Sequence, residues 1–248
     1  MHIEQSILNK VNEWLTPTFD EATQNAIKEM MTSAPKELEE SFYKNLEFGT
    51  GGMRGVMGVG TNRMNVYTVA MATQGLANYL IACFPDEKIK VAITHDSRIN
   101  NTLFAMTTAD VFTANGIEVM YFREMRPTPM LSFAVRHYGC KSGVMITASH
   151  NPKEYNGYKA YWEDGAQVVA PHDTNIIKEV QKITSFDQVN WNKQDNLIHY
   201  IEEDFDAIYV LDDASTDESL QLLYEFGDKI TLIEGRENLG PGGNRNRI

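Results

Sequence analysis

A chain of 248 residues with 42% hydrophobic and 10% aromatic content can bury a sizeable core, as one large domain or two modest ones. No apolar run approaches the roughly 20 residues that span a bilayer, and the start, Met1-His2-Ile3-Glu4-Gln5, lacks a basic region followed by an apolar one, so the expectation is a soluble, cytoplasmic protein with no membrane partner. A net charge of −12 argues against a nucleic-acid partner, and two cysteines, Cys83 and Cys140, are too few for a disulfide framework.

Ile3, Ile7, Val11 and Leu15 recur every fourth residue and predict a helix that Thr16-Pro17 ends. Asp20 caps a second helix through about Thr32, and Ser33 with Pro35 opens a third on which Leu38, Phe42 and Leu46 share a face. At Phe48 glycines take over, six of the thirteen residues to Gly60, with Arg54 as the one charge. Such a loop, with Thr50, Gly51 and Gly52 at its tip, suits a phosphate, because bare N–H groups and a bidentate donor can converge on its oxygens. The alternative is a flexible connector with an exposed arginine.

Val66, Val69, Thr73, Leu76, Leu80 and Phe84 outline a long amphipathic helix up to Pro85. Ile89 to Thr94 then reads as a strand with a polar end, His95-Asp96-Ser97-Arg98. Asn100 or Asn101 caps a helix to Asn115-Gly116, and Ile117 to Phe122 forms the next strand, a rhythm that predicts a parallel right-handed crossover. Arg126-Pro127-Thr128-Pro129 is a rigid turn before a short helix from about Met130 to Tyr138. Val144, Met145 and Ile146 look like a buried strand, which the chain must leave before Pro152, since proline has no N–H for a ladder. Ser149 is thereby placed just past a strand's carboxyl end, where ligands bind in open α/β sheets, and can act as a nucleophile or phosphoryl carrier. An ordinary turn is the alternative. Tyr158 to Trp162 suggests another strand, Asp164-Gly165 a hairpin turn, and Pro171-His172 the start of a helix with Ile176, Ile177, Val180 and Ile183 inward. Ser185 to Asn196 reads as a polar connector.

Two stretches carry a family resemblance. Thr147 to Pro152, followed by Tyr155-Asn156-Gly157-Tyr158-Lys159, resembles the active-site serine loop of the α-D-phosphohexomutases, the phosphoglucomutase and phosphomannomutase superfamily. Phe48 to Gly55 resembles that family's other N-terminal signature, and Gly60 to Asn65 with Gly157 to Asp173 resemble its long-chain, phosphopentomutase-like branch. The resemblance implies a mixed, mainly parallel α/β sheet flanked by helices, and phosphoryl transfer on small sugar phosphates through phospho-Ser149. It implies that Arg54, His150 and Lys159 contact the serine phosphate, that Thr50, Gly51, Gly52 and Asn151 bind phosphate or substrate, and that Asp96 and Arg98 form the family's Asp-x-Arg pair, whose expected role is a salt bridge that organises a loop. Mg²⁺ is implied on phospho-Ser149. Its other ligands, an Asp-x-Asp-x-Asp loop, do not occur in this sequence.

After Tyr200 the character changes: residues 201 to 228 hold ten acids and no base, whereas residues 48 to 200 hold fourteen bases and thirteen acids. Phe205 to Asp217 resembles the second-strand signature of family 2 glycosyltransferases of the GT-A fold, and Asn238 to Asn246 a later loop of the same family. That resemblance implies nucleotide contacts from Asp212 and Asp213; the alternative is a turn and helix cap. Asp217 caps a helix, and Lys229 to Glu234 makes a strand. The expectation is a phosphohexomutase domain I over residues 1–200, joined near 200–206 to a partial nucleotide-binding-like segment over 201–248, as a chimeric fragment with little activity. A non-catalytic phosphosugar-binding domain and a glycosyltransferase with an accessory domain are the alternatives.

Overall fold

The computed structural model describes residues 3–201, 209–225, 227 and 231–237. Two compact units divide the chain, Met1–Ile201 and Glu202–Ile248. The first opens with helices α1 (Gln5–Trp14), α2 (Glu21–Ser33) and α3 (Pro35–Phe42). The predicted stripe of α1 buries Ile7 and Val11, with Trp14 beside them. Asp20 caps α2, accepting from Thr23 N–H at 2.7 Å and from the Tyr67 hydroxyl at 2.6 Å, and that hydroxyl is the main reason its carboxyl is held below the ordinary range. Ser33 does not open α3. It is the last residue of α2 and its hydroxyl donates to Glu29 O at 2.8 Å, while α3 starts on Pro35, whose fixed φ suits a first helical turn.

Strands β1 (Phe48–Gly49), β2 (Gly52–Val56), β3 (Lys90–His95), β4 (Glu118–Phe122), β5 (Ser142–Ile146), β6 (Tyr155–Trp162) and β7 (Ile198–Ile201) form one sheet in the order β1-β2-β6-β5-β3-β4-β7. The β5–β3, β3–β4 and β4–β7 pairs are parallel; β1–β2, β2–β6 and β6–β5 are antiparallel. The fold class is thus the expected mixed α/β sheet with flanking helices, but three of its six pairings are antiparallel, so the sheet is not mainly parallel as expected. Neighbours joined through a single helix, β3 and β4, pair in parallel, whereas β1–β2 and β5–β6 are joined by short loops, which can only return the chain antiparallel.

Around the sheet stand α4 (Val66–Cys83), α5 (Asn101–Ala114), α6 (Thr128–His137) and α7 (His172–Lys182). Asn65 caps α4 in a box: its side chain accepts from Tyr67 and Thr68 N–H at 3.1 and 3.0 Å, and Thr68 Oγ1 accepts the Asn65 N–H at 3.1 Å. α5 lays Phe104, Ala105, Ala109 and Phe112 against Val91, Ile93, Val144 and Ile146. Gly143, alternate to Val144, meets Val135 and Leu131 of α6, so this helix covers the other face. The chain passes from β3 through α5 to β4 on one side, then through α6 back to β5 on the other. The carboxyl ends of β3 and β5 therefore flank the point where the winding reverses, the place where such sheets take ligands.

Two further features differ from expectation. The glycine stretch is no open loop, since Phe48 faces Met53 and Gly49 faces Gly52 in a hairpin with Thr50-Gly51 as its turn. Strand β7 was unforeseen: His199 and Tyr200 are exposed and only Ile201 is buried, so this edge strand carries little apolar pattern. In the second unit, β8 (Tyr209–Asp212), α8 (Ser219–Tyr224) and β9 (Thr231–Glu234) form a strand–helix–strand piece, with β8 and β9 parallel. The Asn238 to Asn246 loop and residues 202–206 of the junction lie outside the described residues. Among the described residues, no helix is long and apolar enough to cross a membrane.

Candidate functional site

The serine loop leaves β5 at Ile146 and returns as β6 at Tyr155. Its first residue stays in the ladder, Thr147 N–H donating to Gly157 O at 3.0 Å. Only glycine fits opposite: a Cβ on Gly157 would stand 2.5 Å from Thr147 O. Ser149 is exposed and left-handed, at φ 55°, a conformation that costs a non-glycine residue about 1 kcal/mol and has to be held from outside.

Two devices hold it. Below, the Thr147 hydroxyl accepts the Ser149 N–H at 3.0 Å while donating to the Asp96 carboxylate, which also accepts from the Asn101 amide and, at 3.1 Å, from the Arg98 N–H. On the far side, the Arg98 guanidinium donates to Ser149 O and Asn151 O, both at 2.7 Å, and to Pro152 O and Tyr155 O, both at 3.0 Å. Four carbonyls of one loop converge on one planar cation, which its fork of donors can satisfy together. Asn101 and Asn156 extend the network beneath, the Asn101 amide also donating to Ile146 O at 3.2 Å.

The cations follow from register. Arg54 lies opposite Gly157 and Lys159 opposite Gly52 across the β2–β6 pair, so both side chains stand on one face two residues apart. Arg54 reaches the loop, donating to Asn151 Oδ1 at 2.8 Å. The half-buried Lys159 side chain makes no hydrogen bond or ion pair among the described residues. Desolvation, then the Arg54 charge, holds its pKa below the ordinary lysine value against an opposing pull from Asp96. The Ser149 hydroxyl is 3.3 Å from His150 Nδ1 and donates to it when the imidazole proton is on Nε2. Ser149, His150, Asn151 and Arg54 are thus brought together, with Lys159 beside Arg54.

Thr50 and Gly51 are not brought to them, and Gly52 meets them only as the cross-strand partner of Lys159. Gly51 O accepts Ala160 N–H at 3.0 Å, and Ala160 pairs with Val144, so the turn lies level with the middle of β5, short of the serine loop. These glycines answer to packing instead: a Cβ on Gly52 would stand 1.9 Å from Tyr158 O, and one on Gly51 2.2 Å from Gln167 Nε2. In the second unit Asp212 is buried and accepts Ser215 N–H at 3.1 Å, closing the turn after β8, with half-buried Asp213 next to it.

The Mg²⁺ implied by the resemblance finds no complete site in these residues. Among the described residues no three His, Cys, Asp or Glu side chains gather closely enough to hold a metal ion, and both Asp96 oxygens are engaged by Thr147, Asn101 and Arg98 N–H.

Because folding lowers the Lys159 pKa, the folded state binds that proton less tightly than the unfolded chain does. The penalty is fully present below the lowered value and disappears as pH rises toward 10.5. In phosphate-free buffer at pH 7, Lys159→Met should therefore melt slightly above the natural chain by calorimetry, and the gap should close toward pH 10.5. Inorganic phosphate should raise the melting temperature of the natural chain more than that of the variant. A variant that melts lower at pH 7 without phosphate would contradict the electrostatic argument.

Compared with known proteins, residues 45–187 match the sequence profile described as phosphoglucomutase/phosphomannomutase, alpha/beta/alpha domain I, and residues 192–248 match that of glycosyl transferase family 2. A probable phosphoribomutase of Schizosaccharomyces pombe is 39% identical over 185 residues, 74% of this chain and 31% of that protein. The human phosphopentomutase is 40% identical over 178 residues, 68% of this chain and 29% of that one. The chain thus spans about three tenths of the length of these curated relatives. A solved Thermus thermophilus structure assigned as a phosphomannomutase superposes with a TM-score of 0.57 at 23% identity, covering 80% of this chain and 47% of that one, which shows a shared fold.

Proposed function

The chain belongs to the phosphoglucomutase/phosphomannomutase family, whose α/β/α domain I residues 45–187 match, and from that premise we propose that Ser149 accepts a phosphoryl group from a sugar phosphate. The observation that carries the reading is the held serine: exposed, left-handed and fixed through Thr147 and Arg98, with Arg54 bonded to Asn151 of the same loop and Lys159 beside Arg54 on one face. The Ser149 oxygen forms a bond to phosphorus as the sugar–oxygen bond to phosphorus breaks. The hydroxyl proton passes to His150 Nδ1 and from there to the departing sugar oxygen. Arg54 and Lys159 offset charge on the phosphoryl oxygens, which is most of what phosphoryl transfer asks of a protein. The phosphoribomutase and phosphopentomutase names of the relatives favour a pentose phosphate as substrate class. A cytoplasmic setting with no nucleic-acid or membrane partner belongs to the same reading.

Full mutase turnover also returns the phosphoryl group, and with no complete metal site among the described residues we expect acceptance without steady turnover. Incubation with glucose 1,6-bisphosphate and Mg²⁺, followed by mass spectrometry, should find one phosphate on Ser149 and none in Ser149→Ala. A coupled glucose 6-phosphate assay should stay near background. Phosphate on another residue, or equal labelling of the variant, overturns the reading. A sugar phosphate that binds without labelling Ser149 favours a phosphosugar-binding domain, a second reading that unpaired Lys159 also supports. For the second unit we propose only a piece of a GT-A-like fold, with Asp212 committed to its own turn.

A further inference from the structure

Three hydrophobic clusters of the first unit adjoin here. One holds Trp14 and Phe19, a second Phe48, Met53 and Ala72, and Phe186 packs against both the first and the third. Where they meet there is a cavity of about 330 Å³, walled by all six of these residues. The first two residues lie before the family-matched stretch, so the cavity sits between the N-terminal helices and the domain they cover. Of the hydroxyls on its wall, Thr61 donates to Lys44 O at 2.6 Å, Thr68 to Arg63 O at 2.8 Å and Thr184 to Gln188 Oε1 at 3.2 Å, and the polar side chains of Asn45, Gln181 and Ser185 complete the rim of a largely aromatic pocket.

We propose that this cavity is a binding site for a neutral aromatic molecule of one or two rings. At about 330 Å³ the pocket falls in the size range of small-molecule sites and has room for one or two rings. Its walls offer four aromatic rings and the Met53 thioether, which favour ring edges and faces over branched aliphatic groups. Lys10, Glu13 and Glu47 at the margin carry both signs of charge, so a net charge on the occupant gains little. The site also adjoins the serine loop through β2. Met53 forms part of the wall, and the next residue, Arg54, is on the opposite face and donates to Asn151. An occupant therefore presses on the strand that carries Arg54.

Titration of the full chain with indole in a calorimeter should give a dissociation constant on the order of 10⁻⁴ M, in keeping with the efficiency of small ligands. Ala72→Leu fills the cavity from α4 without harming helix propensity and should weaken binding at least tenfold. Met71→Phe does the same from the adjacent wall should the first variant fail to fold. In the ¹⁵N spectrum indole should move the Met53 and Arg54 amides. No heat at millimolar indole, unchanged affinity in the filled variants, or shifts confined to other strands would each overturn the proposal.

Discussion

Arg98→Met is expected to lose at least a hundredfold in the rate of Ser149 phosphorylation and to melt about 10 °C lower. The side chain is largely buried and its guanidinium is the common donor to four loop carbonyls from Ser149 to Tyr155. Methionine keeps much of the volume and none of the donors, leaving those carbonyls to water or to nothing. Removing a charged partner from such a network costs about 3–5 kcal/mol, and in a domain of this size each kcal/mol moves the melting temperature by about 2–4 °C. The kinetic effect is separate: a left-handed serine released from its anchor drifts, and a displacement of about 1 Å costs on the order of a hundredfold in rate. Labelling should be measured well below the lowered melting point, so that unfolding cannot account for the loss. Arg98→Lys keeps the charge without the fork and should recover only part of each effect. Natural labelling rates in a folded Arg98→Met would remove Arg98 from any role in positioning the serine.

Gly52→Ala should cost more than 4 kcal/mol, about the threshold at which single substitutions become exceptional, and the chain should collect in the insoluble fraction. The backbone sits at φ 143°, and the new methyl would lie 1.9 Å from Tyr158 O and 2.9 Å from Lys159 Cα, atoms of a strand that cannot retreat without opening the β2–β6 ladder. Gly139→Ala supplies the comparison. There φ is 61° with nothing within 4 Å, so only backbone strain of about 1 kcal/mol is expected. Urea midpoints of the two variants separate strain from collision, and equal midpoints would show that the strand pair yields easily.

The helices and buried strands were legible because each bears a period or a cap that physics ties to one structure. The α1 stripe, the Asp20 cap, α4, and the strand–helix–strand run from β3 to β4 fall within a few residues of expectation. The serine loop was legible as a motif, and Asp96 and Arg98 as a pair that organises a loop, but the rest of what holds the serine was not. Thr147, Asn101 and Asn156 act through contacts across 45 to 55 positions, which no local pattern records. The hairpin in the glycine stretch was not legible for a physical reason: glycines that let a backbone approach a phosphate also let two strands approach each other, and composition cannot tell which neighbour is meant. β7 was invisible because an edge strand with two exposed residues shows no alternation.

That edge strand bears on how the chain can be cut. Residues 198–201 pair with Val119 to Phe122, yet the glycosyl transferase likeness already begins at residue 192. Dividing the chain where the likeness changes would strip the outermost strand from the first unit and bare the hydrogen-bonding edge of β4, whereas a cut after Ile201 leaves that edge covered. A piece ending at residue 191 becomes an acceptor with one strand missing, prone to pair with its own copies or to recapture a peptide of residues 192–201 added in trans. The same four residues could then serve as a detachable tag, with reassembly read out by recovery of a soluble monomer.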